Sequence, residues 1–156
     1  MIMLDFTTKM PTYKLCYFNS RGLAEMIRLI FAEANVEYED HRLSDWVELK
    51  PKMPFNTVPV LYVDGLALGN SRAIMRYLSK EFGINKGTPF ELAKIDSWFE
   101  YIMETATKLH PLYSEPDKEY KASVVAKVEK EFQGKLQKLE ELVNTNGGPY
   151  VFGKVN

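Results

Sequence analysis

The stretch YKLCYFNSRGLAEMIR, residues 13–28, decides the fold of this chain. Its first six residues are rich in aromatic side chains and predict a β-strand. From Arg21 onward the apolar residues recur at helical spacing, and Asn19 or Ser20 can cap the helix that this spacing predicts. A strand that turns so quickly into a helix is typical of an α/β domain.

The residues that follow supply the other elements of such a domain. Residues 36–43 predict a second strand, after which comes a short, weakly helical segment. Residues 58–68 predict a hairpin around Asp64-Gly65, a dipeptide typical of tight β-turns. Asn70-Ser71 can then cap another helix. This order of elements predicts one small α/β domain.

The second half of the chain has the pattern of long helices. Apolar residues at helical spacing run over 95–109 and again over 125–143, with a turn at 115–119 between them. Gly147 and Gly148 are candidates for the residue that ends the second helix. Two such helices cannot bury their apolar faces on each other alone, so they require further packing partners.

We therefore expect two domains joined by a linker. The first is α/β, and the second is all-helical and incomplete, because the chain stops within an apolar run. The expected segments are an N-terminal tail at 1–10, an α/β domain at 11–83, a linker at 84–91 and a partial helical domain at 92–156.

Composition and charge exclude several classes of protein. The chain has 156 residues and a formal net charge of −1, which disfavours general binding to nucleic acid or to an anionic membrane. The single Cys16 cannot form an internal disulfide and is typical of a reducing compartment, so we predict a cytoplasmic protein. The sequence shows no secretory signal, no apolar run near the roughly 18 residues that span a membrane, and no pattern of metal ligands.

Three blocks of the sequence together resemble the cytosolic glutathione transferases, sigma class. They are YKLCYFNSRGLAEMIR, DWVELKPKMPFNTVPVL and LGNSRAIMRYL, which occur in this order between Tyr13 and Leu78. The likeness continues more weakly through the helical half. It implies a thioredoxin-like first domain, an all-helical second domain, a homodimer, glutathione as co-substrate, a small hydrophobic electrophile as the second substrate, and no further cofactor.

The resemblance also assigns the thiol-activating residues. The thiol of glutathione has the acidity of an ordinary cysteine, about 8.5, so little of the reactive thiolate exists at neutral pH. A protonated phenol can stabilise the thiolate by donating its O–H, and the resemblance gives this role to Tyr17. It makes Arg21 the supporting charge and places Phe18 at the electrophile pocket, while Gly22 keeps the turn slim. Tyr13 shares the strand face of Tyr17, but core packing is its better interpretation.

Two more motifs imply contacts with the rest of the tripeptide. By resemblance, the Val58-Pro59 bond is cis, and the free N–H and C=O of Val58 pair with the cysteinyl backbone of glutathione. Ser71, at a helix N-terminus, holds the γ-glutamyl carboxylate. Asn70 stands beside it, where the family usually has Gln.

The remaining assignments concern the two ends of glutathione. Trp46 and Lys50 match residues that reach its glycyl end, and Lys50 would meet the carboxylate there. At Thr57 many relatives carry Lys, so one anionic contact is expected to be weaker. Glu104, with Glu100 as the alternative, is the candidate acidic residue that reaches the partner subunit's glutathione amine.

Three other interpretations of the sequence remain open beside that of a transferase. A prostaglandin D isomerase of the same class uses a Trp late in the first long helix, where this chain has KLHPLYSE and no Trp. A non-catalytic relative of the S-crystallins would have an altered glutathione site, whereas Tyr17, Arg21 and Ser71 are all present here. Family chains run to roughly 200 residues, so the chain as written is expected to lack its last helices and to be less stable than a longer chain. In this interpretation the product is a fragment, a partial gene model or a binding-only remnant.

Overall fold

The structure is a computed structural model that describes residues 10–147. The chain divides into two compact units between Lys86 and Gly87. The expected N-terminal tail lies outside the described residues except for Met10, which is exposed. Gly148, one of the two candidates for the end of the second long helix, also lies outside them.

The first unit is built on a mixed sheet of four strands in the order β2-β1-β3-β4. Strand β2 runs parallel to β1, while β3 is antiparallel to both β1 and β4. The strands are β1 (Tyr13–Phe18), β2 (Glu39–Leu43), β3 (Val60–Val63) and β4 (Leu66–Gly69). This sheet, with a helix crossing between the parallel strands, confirms the expected thioredoxin-like α/β class. Strand β2 begins three residues later than the expected residue 36.

Helices cover both faces of this sheet. Helices α1 (Glu25–Ala34) and α3 (Ser71–Glu81) pack together. Their inward residues and the sheet share a core whose fully buried members include Leu15, Ile27, Phe31, Leu61, Ile74 and Leu78. The other face carries a smaller cluster of Cys16, Leu43, Met53 and Val60, against which the short helix α2 (Trp46–Leu49) packs. The alternation of strand side chains between two faces explains why Leu15 and Cys16 lie in different clusters.

The expected cap of the first helix is wrong. The chain forms a 3₁₀ turn over Gly22–Ala24 and passes directly into α1, and neither Asn19 nor Ser20 supplies a capping side chain. The expected hairpin turn at Asp64-Gly65 is confirmed, with both residues at positive φ.

The second unit consists of helices α4 (Pro89–Ala106) and α5 (Lys118–Asn146), joined by a 3₁₀ segment over Thr107–Tyr113. Helix α4 starts within the expected linker 84–91, because Thr88 and Glu91 form a capping box there. It also stops before residue 109, where the apolar pattern predicted helix. Pro111 lies in the 3₁₀ segment, and its ring would clash with the carbonyl four residues earlier in an α-helix. Gly147 ends α5 in the left-handed conformation, as expected.

Helices α4 and α5 are linked by charged as well as apolar side chains. Lys135 of α5 is only 6% exposed, and its ammonium donates to the carbonyl of Tyr101 and lies 3.2 Å from a carboxylate oxygen of Glu104. Glu131 accepts hydrogen bonds from Lys108, at 2.8 Å, and from Thr105, at 2.7 Å. These donors, Lys108 first, hold the pKa of Glu131 below its usual range. The contact between the two helices is therefore partly ionic.

No helix within residues 10–147 is both long and apolar enough to cross a membrane.

Candidate functional site

Tyr17 lies near the end of β1 with its side chain 7% exposed. Its hydroxyl oxygen accepts a hydrogen bond from the backbone N–H of Leu23 over 3.1 Å. A hydroxyl that accepts one hydrogen bond can still donate its own proton, and acceptance polarises the O–H and strengthens that donation. Tyr17 is therefore held in one orientation by the turn that follows it and keeps its donor available.

The close approach of this turn to Tyr17 depends on Gly22. Gly22 has φ +43°, and a Cβ built on it would lie 2.5 Å from the Tyr17 oxygen and 2.9 Å from Cε1 of the ring. Real Cβ atoms do not approach other atoms so closely, so a side chain here would push the ring or the turn away. The sequence suggested only that Gly22 keeps the turn slim. The structure adds the reason, which is the close approach of residue 22 to the Tyr17 side chain.

Arg21 and Phe18 lie on either side of this tyrosine in sequence and are both open to solvent. The Arg21 side chain is 89% exposed, with its Nε 3.9 Å from Glu25. The ring of Phe18 is partly exposed and packs against Tyr17 and Trp46, with centroid distances of 5.3 and 5.2 Å. An open aromatic ring next to the tyrosine is consistent with the electrophile position expected for Phe18.

The 3₁₀ turn over Gly22–Ala24 continues directly into α1. The Leu23 N–H of this turn is bonded to Tyr17, so this N–H group is not free to bind an anion.

The backbone at Val58 has the features that the sequence suggested. The Val58-Pro59 peptide bond is cis, as expected. Among residues 10–147, neither the N–H nor the C=O of Val58 makes a hydrogen bond. Both groups are strong hydrogen-bonding groups that need partners. Val58 can therefore pair with an extended backbone laid beside it.

The start of α3 separates two roles that the sequence left combined. Asn70 is the N-cap, and its side-chain oxygen accepts from the N–H groups of Arg72, at 3.1 Å, and Ala73, at 3.3 Å. Ser71 is the first helical residue and is 8% exposed. Its hydroxyl makes no hydrogen bond within residues 10–147. The cap is thus completed without Ser71, whose hydroxyl remains available together with the NH₂ of Asn70.

Trp46 and Lys50 are one helical turn apart. The N–H of Lys50 donates to the carbonyl of Trp46, which places the two side chains on neighbouring parts of one face. Lys50 is exposed, and its ammonium makes no ion pair within the described part of the chain. Trp46 and Lys50 together present an aromatic ring and an ammonium group that makes no ion pair with the described residues.

The sheet register brings most of these residues to one end of the first unit. Cys16 of β1 pairs with Val60 of β3, and Val60 pairs with Gly69 of β4. Val58, two residues before Val60, therefore lies beside the end of β1 that carries Tyr17. Ser71, two residues after Gly69, lies at the same end of the sheet. The Tyr17 hydroxyl, the backbone N–H and C=O of Val58 and the Ser71 hydroxyl therefore lie at the same end of the sheet.

Two competing residues fall outside this site. Cys16 is buried in the cluster on the opposite face, and burial raises the pKa of its thiol. Tyr13 is also buried, and burial with the nearby Tyr77 raises its pKa to about 12. Its ring packs edge-on against Phe31, at 5.4 Å between centroids, which agrees with the core role expected for it.

Glu104 belongs to the other unit and is not free in the structure. Its side chain is 69% exposed and forms the ion pair with Lys135. A role toward a glutathione bound by another subunit stays a prediction for this residue. No group of three or more metal-ligating side chains occurs within residues 10–147.

The sequence reasoning missed the hydrogen bond of the Leu23 N–H to Tyr17, since a backbone donor leaves no mark in the sequence. It also missed the partners of the preceding carbonyls, at Ser20 and Arg21. These accept from Arg28 and Arg42, which the sequence pattern presented only as polar positions on a helix and a strand.

The chain is similar to known proteins over most of its length. Residues 13–80 match the family model described as Glutathione S-transferase, N-terminal domain. Glutathione S-transferase 1 of Ascaris suum is 42% identical over 153 residues, which cover 93% of this chain and 73% of that protein. Hematopoietic prostaglandin D synthase of Gallus gallus is 52% identical over 90 residues, which cover 56% of this chain but only 45% of that protein.

Solved structures show the same likeness over a longer part of the chain. A Nu-class GST from Haemonchus contortus superposes with a TM-score of 0.78 and 34% identity, and covers 94% of this chain and 74% of that one. The likeness therefore extends beyond the first unit into the helices of the second.

Proposed function

The chain belongs to the glutathione S-transferase family, and from this premise we propose that it activates the thiol of glutathione for attack on an apolar electrophile. The observation that carries the proposal is the hydroxyl of Tyr17. It is oriented by the Leu23 N–H, and it lies at the sheet end that also presents Val58 and Ser71.

The chemical task is to increase the fraction of thiolate at neutral pH. Lowering the thiol pKa by about two units requires roughly 2.7 kcal/mol of preferential stabilisation of the thiolate. The O–H of Tyr17 would donate to the sulfur, and the exposed Arg21 would add a positive charge at the same turn. A donor already fixed in place needs little reorganisation when the charge forms, which is why such groups are effective.

The unengaged groups of the first unit match the parts of glutathione. The N–H and C=O of Val58, which precedes Pro59 just before β3, would pair with the cysteinyl backbone. The hydroxyl of Ser71 and the NH₂ of Asn70 would bind the γ-glutamyl carboxylate. Lys50 would bind the glycyl carboxylate, with Trp46 packing beside it. Apart from Trp46, whose ring packs against Phe18, each contact uses a polar group that the described residues leave without another partner.

The reaction needs no covalent intermediate with the protein. The thiolate sulfur would form a bond to an electrophilic carbon of the second substrate. The displaced electron pair would leave with a leaving group or move onto the electrophile and take up a proton. The partly exposed ring of Phe18 would border the bound electrophile. The rate gain would come from thiolate population and from orientation of the two substrates.

The finer assignments belong to the same proposal. The three sequence blocks support the sigma class, while the likeness to a Nu-class structure shows that related classes share the same framework. Detoxification of hydrophobic electrophiles, a homodimer in which Glu104 reaches the partner's glutathione, and a cytoplasmic location follow from the family pattern.

A prostaglandin D isomerase is the second candidate. The 52% identity with the prostaglandin D synthase of Gallus gallus over 90 residues favours it. The 3₁₀ segment Thr107–Tyr113, which holds the expected position of the isomerase Trp, contains none. We therefore place general conjugation first. Incubation with a prostaglandin endoperoxide and glutathione would separate the two, because an isomerase would not consume glutathione.

The proposal is tested on the whole chain with glutathione and a chromogenic aryl halide. We expect calorimetric binding, thiolate absorbance of the bound glutathione at neutral pH, and conjugate formation. Binding with neither thiolate nor conjugate would favour the non-catalytic alternative. An absence of binding would overturn the proposal.

A further inference from the structure

The turn after Tyr17 is held by a buried arginine. Arg28 of α1 has a side chain only 10% exposed. Its Nη1 donates to the carbonyl of Ser20 over 3.1 Å and to the carbonyl of Arg21 over 3.3 Å. Its Nε donates to the Asp40 carboxylate over 3.1 Å. One guanidinium thus ties α1 and β2 to two successive carbonyls of the turn.

A second arginine closes the same arrangement from the sheet. Arg42 pairs directly with Tyr17 in the parallel register of β1 and β2. Its Nη1 donates to the Ser20 carbonyl over 3.2 Å, and its Nε and Nη2 contact Asp40 at 2.9 and 2.7 Å. We call Arg28, Asp40 and Arg42 the arginine clamp. Its two cations share one carbonyl and one carboxylate.

The arginine clamp binds backbone carbonyls that directly precede the residues in contact with Tyr17. The Arg21 carbonyl, which Arg28 binds, is bonded to the nitrogen of Gly22. Gly22 is the glycine packed on the Tyr17 ring, and Leu23 after it donates to the Tyr17 hydroxyl. A shift of the Arg21 peptide would therefore move the Leu23 N–H relative to the phenol oxygen.

Arg28 carries a cost to stability beside its contact with Asp40. Its Nη2 is buried and has no hydrogen-bond partner within the described residues. A buried donor without a partner costs free energy. The contact of Arg28 with Glu25, at 2.9 Å, is a partly exposed pair one helical turn away, which is worth little. A forked donor is suited to hold the two turn carbonyls through Nη1 while Nε stays on Asp40.

We propose that Arg28 is a positioning residue for thiol activation: through the Ser20 and Arg21 carbonyls it holds the Leu23 N–H on the Tyr17 hydroxyl and so fixes the direction of the phenolic donor. This inference rests on the proposed function for its consequence in catalysis. Its structural part, the control of the turn, stands without it.

The structural part is tested without glutathione, by hydrogen exchange of the Leu23 amide. In Arg28→Met we expect Leu23 protection to fall by about tenfold or more, while that of the core amide Leu61 stays unchanged. The matched control is Lys14→Met, which breaks an ion pair of 2.8 Å between β1 and β2 at the other end of the strands. It should leave Leu23 protected. Unchanged protection of Leu23 in Arg28→Met would overturn the inference.

The catalytic part is read from bound glutathione. In Arg28→Met the thiol pKa of bound glutathione should rise by about one unit. The dissociation constant should change less than about threefold, because Val58, Ser71 and Lys50, which are proposed to bind the tripeptide, lie outside the turn that Arg28 holds. In Arg28→Lys the thiol pKa should lie between those of the wild type and Arg28→Met, since an ammonium cannot donate in both directions of the guanidinium fork. A larger dissociation constant for glutathione with an unchanged thiol pKa would contradict a positioning role.

Failure of the two ideas can be told apart. If the wild-type chain binds no glutathione, the proposed function fails, and the exchange of Leu23 still decides whether Arg28 holds the turn. If Arg28→Met does not fold, Asp40→Asn provides the same test, because it removes the carboxylate that orients both arginines. Retained Leu23 protection in Asp40→Asn and Arg28→Lys together would then defeat the inference.

Discussion

The α-carbon of Gly22 lies against the hydroxyl of Tyr17, so that a Cβ on residue 22 would stand 2.5 Å from the phenol oxygen. This contact lets the next backbone N–H, of Leu23, reach the same oxygen. A residue without a side chain therefore determines how the proposed thiol activator is held. The same contact makes the turn sensitive to a single methyl group.

Gly22→Ala should lower both stability and turnover. The loss of unfolding free energy should exceed the about 1–2 kcal/mol that a left-handed conformation alone costs an alanine. Turnover should fall by about tenfold or more, because the phenol is displaced from its donor position. Urea unfolding and steady-state conjugation measure the two effects.

Gly83→Ala is the matched control for this change. Gly83 has φ +65°, and a Cβ there would meet nothing within 4 Å. It should show the conformational cost without the loss of turnover. Equal effects of the two substitutions on turnover would mean that the contact with Tyr17 is unimportant.

Tyr17→Phe should leave glutathione binding nearly intact and slow conjugation by about ten- to a thousand-fold, the range for loss of a preorganised donor. The ring still packs, and only the hydroxyl is lost. The thiol pKa of bound glutathione, followed by thiolate absorbance, should rise. Activity equal to the wild type would move the role to Arg21 or to the backbone.

Ser71→Ala should weaken glutathione binding by roughly 1.5–3 kcal/mol, the range for a hydrogen bond to a charged group. It should leave the stability of the chain unchanged, because the Ser71 hydroxyl makes no hydrogen bond within residues 10–147. Calorimetric titration and urea unfolding give the two quantities. An unchanged affinity would remove Ser71 from the site.

Asn70→Ala should show the stability effect that Ser71→Ala lacks. Its side chain caps α3 through two backbone N–H groups, and loss of such a cap costs about 0.5–2 kcal/mol. Some loss of glutathione affinity should accompany it if the NH₂ of Asn70 binds the carboxylate. Unchanged stability in this variant would show that the cap is dispensable.

The second unit should lose stability as the pH falls into the acidic range. The pKa of Glu131 is lowered chiefly by the hydrogen bond from Lys108. Its contribution is therefore fully present above the pKa of an unfolded glutamate, about 4.3, and is lost as pH falls through the lower folded value. Urea unfolding from neutral to acidic pH, with Trp98 as the reporter in a Trp46→Phe background, measures this.

In Glu131→Gln the loss of unfolding free energy between neutral and acidic pH should be smaller than in the wild type. The pKa of Glu91 is lowered by hydrogen bonds from Thr88 at the start of α4, so Glu91→Gln should remove a separate part of the same dependence. The two effects should add, since the residues share no partner. A decline in Glu131→Gln as steep as in the wild type would contradict the assignment.

The elements of the first unit could be predicted because their signals are local. The aromatic-rich run of β1, the Asp64-Gly65 turn and the helix after Asn70 are each signalled within a few neighbouring residues. The errors also have local causes that outweighed the pattern. Pro111 converted the end of the expected helix into a 3₁₀ segment, and Thr88 with Glu91 started α4 inside the expected linker.

The candidate site was predictable in its residue types and less so in their roles. The motif around Tyr17 and the strand-initial Pro59 suggested both positions before the structure. The division of labour between Asn70 and Ser71 depended on which side chain turns back onto the helix. Neighbouring capping residues compete for the same N–H groups, and the sequence alone does not rank them.

The sequence by itself therefore determined the strands, the hairpin, the helices and the residue types of the site, because periodicity and turn chemistry act over a few residues. Only the tertiary structure decided that Arg28, Asp40 and Arg42 meet at the carbonyl of Ser20. These residues come from a helix and a strand, and their contact depends on the parallel register of β1 and β2. Register and helix packing are set by burial over the whole unit, so no short stretch of sequence contains them.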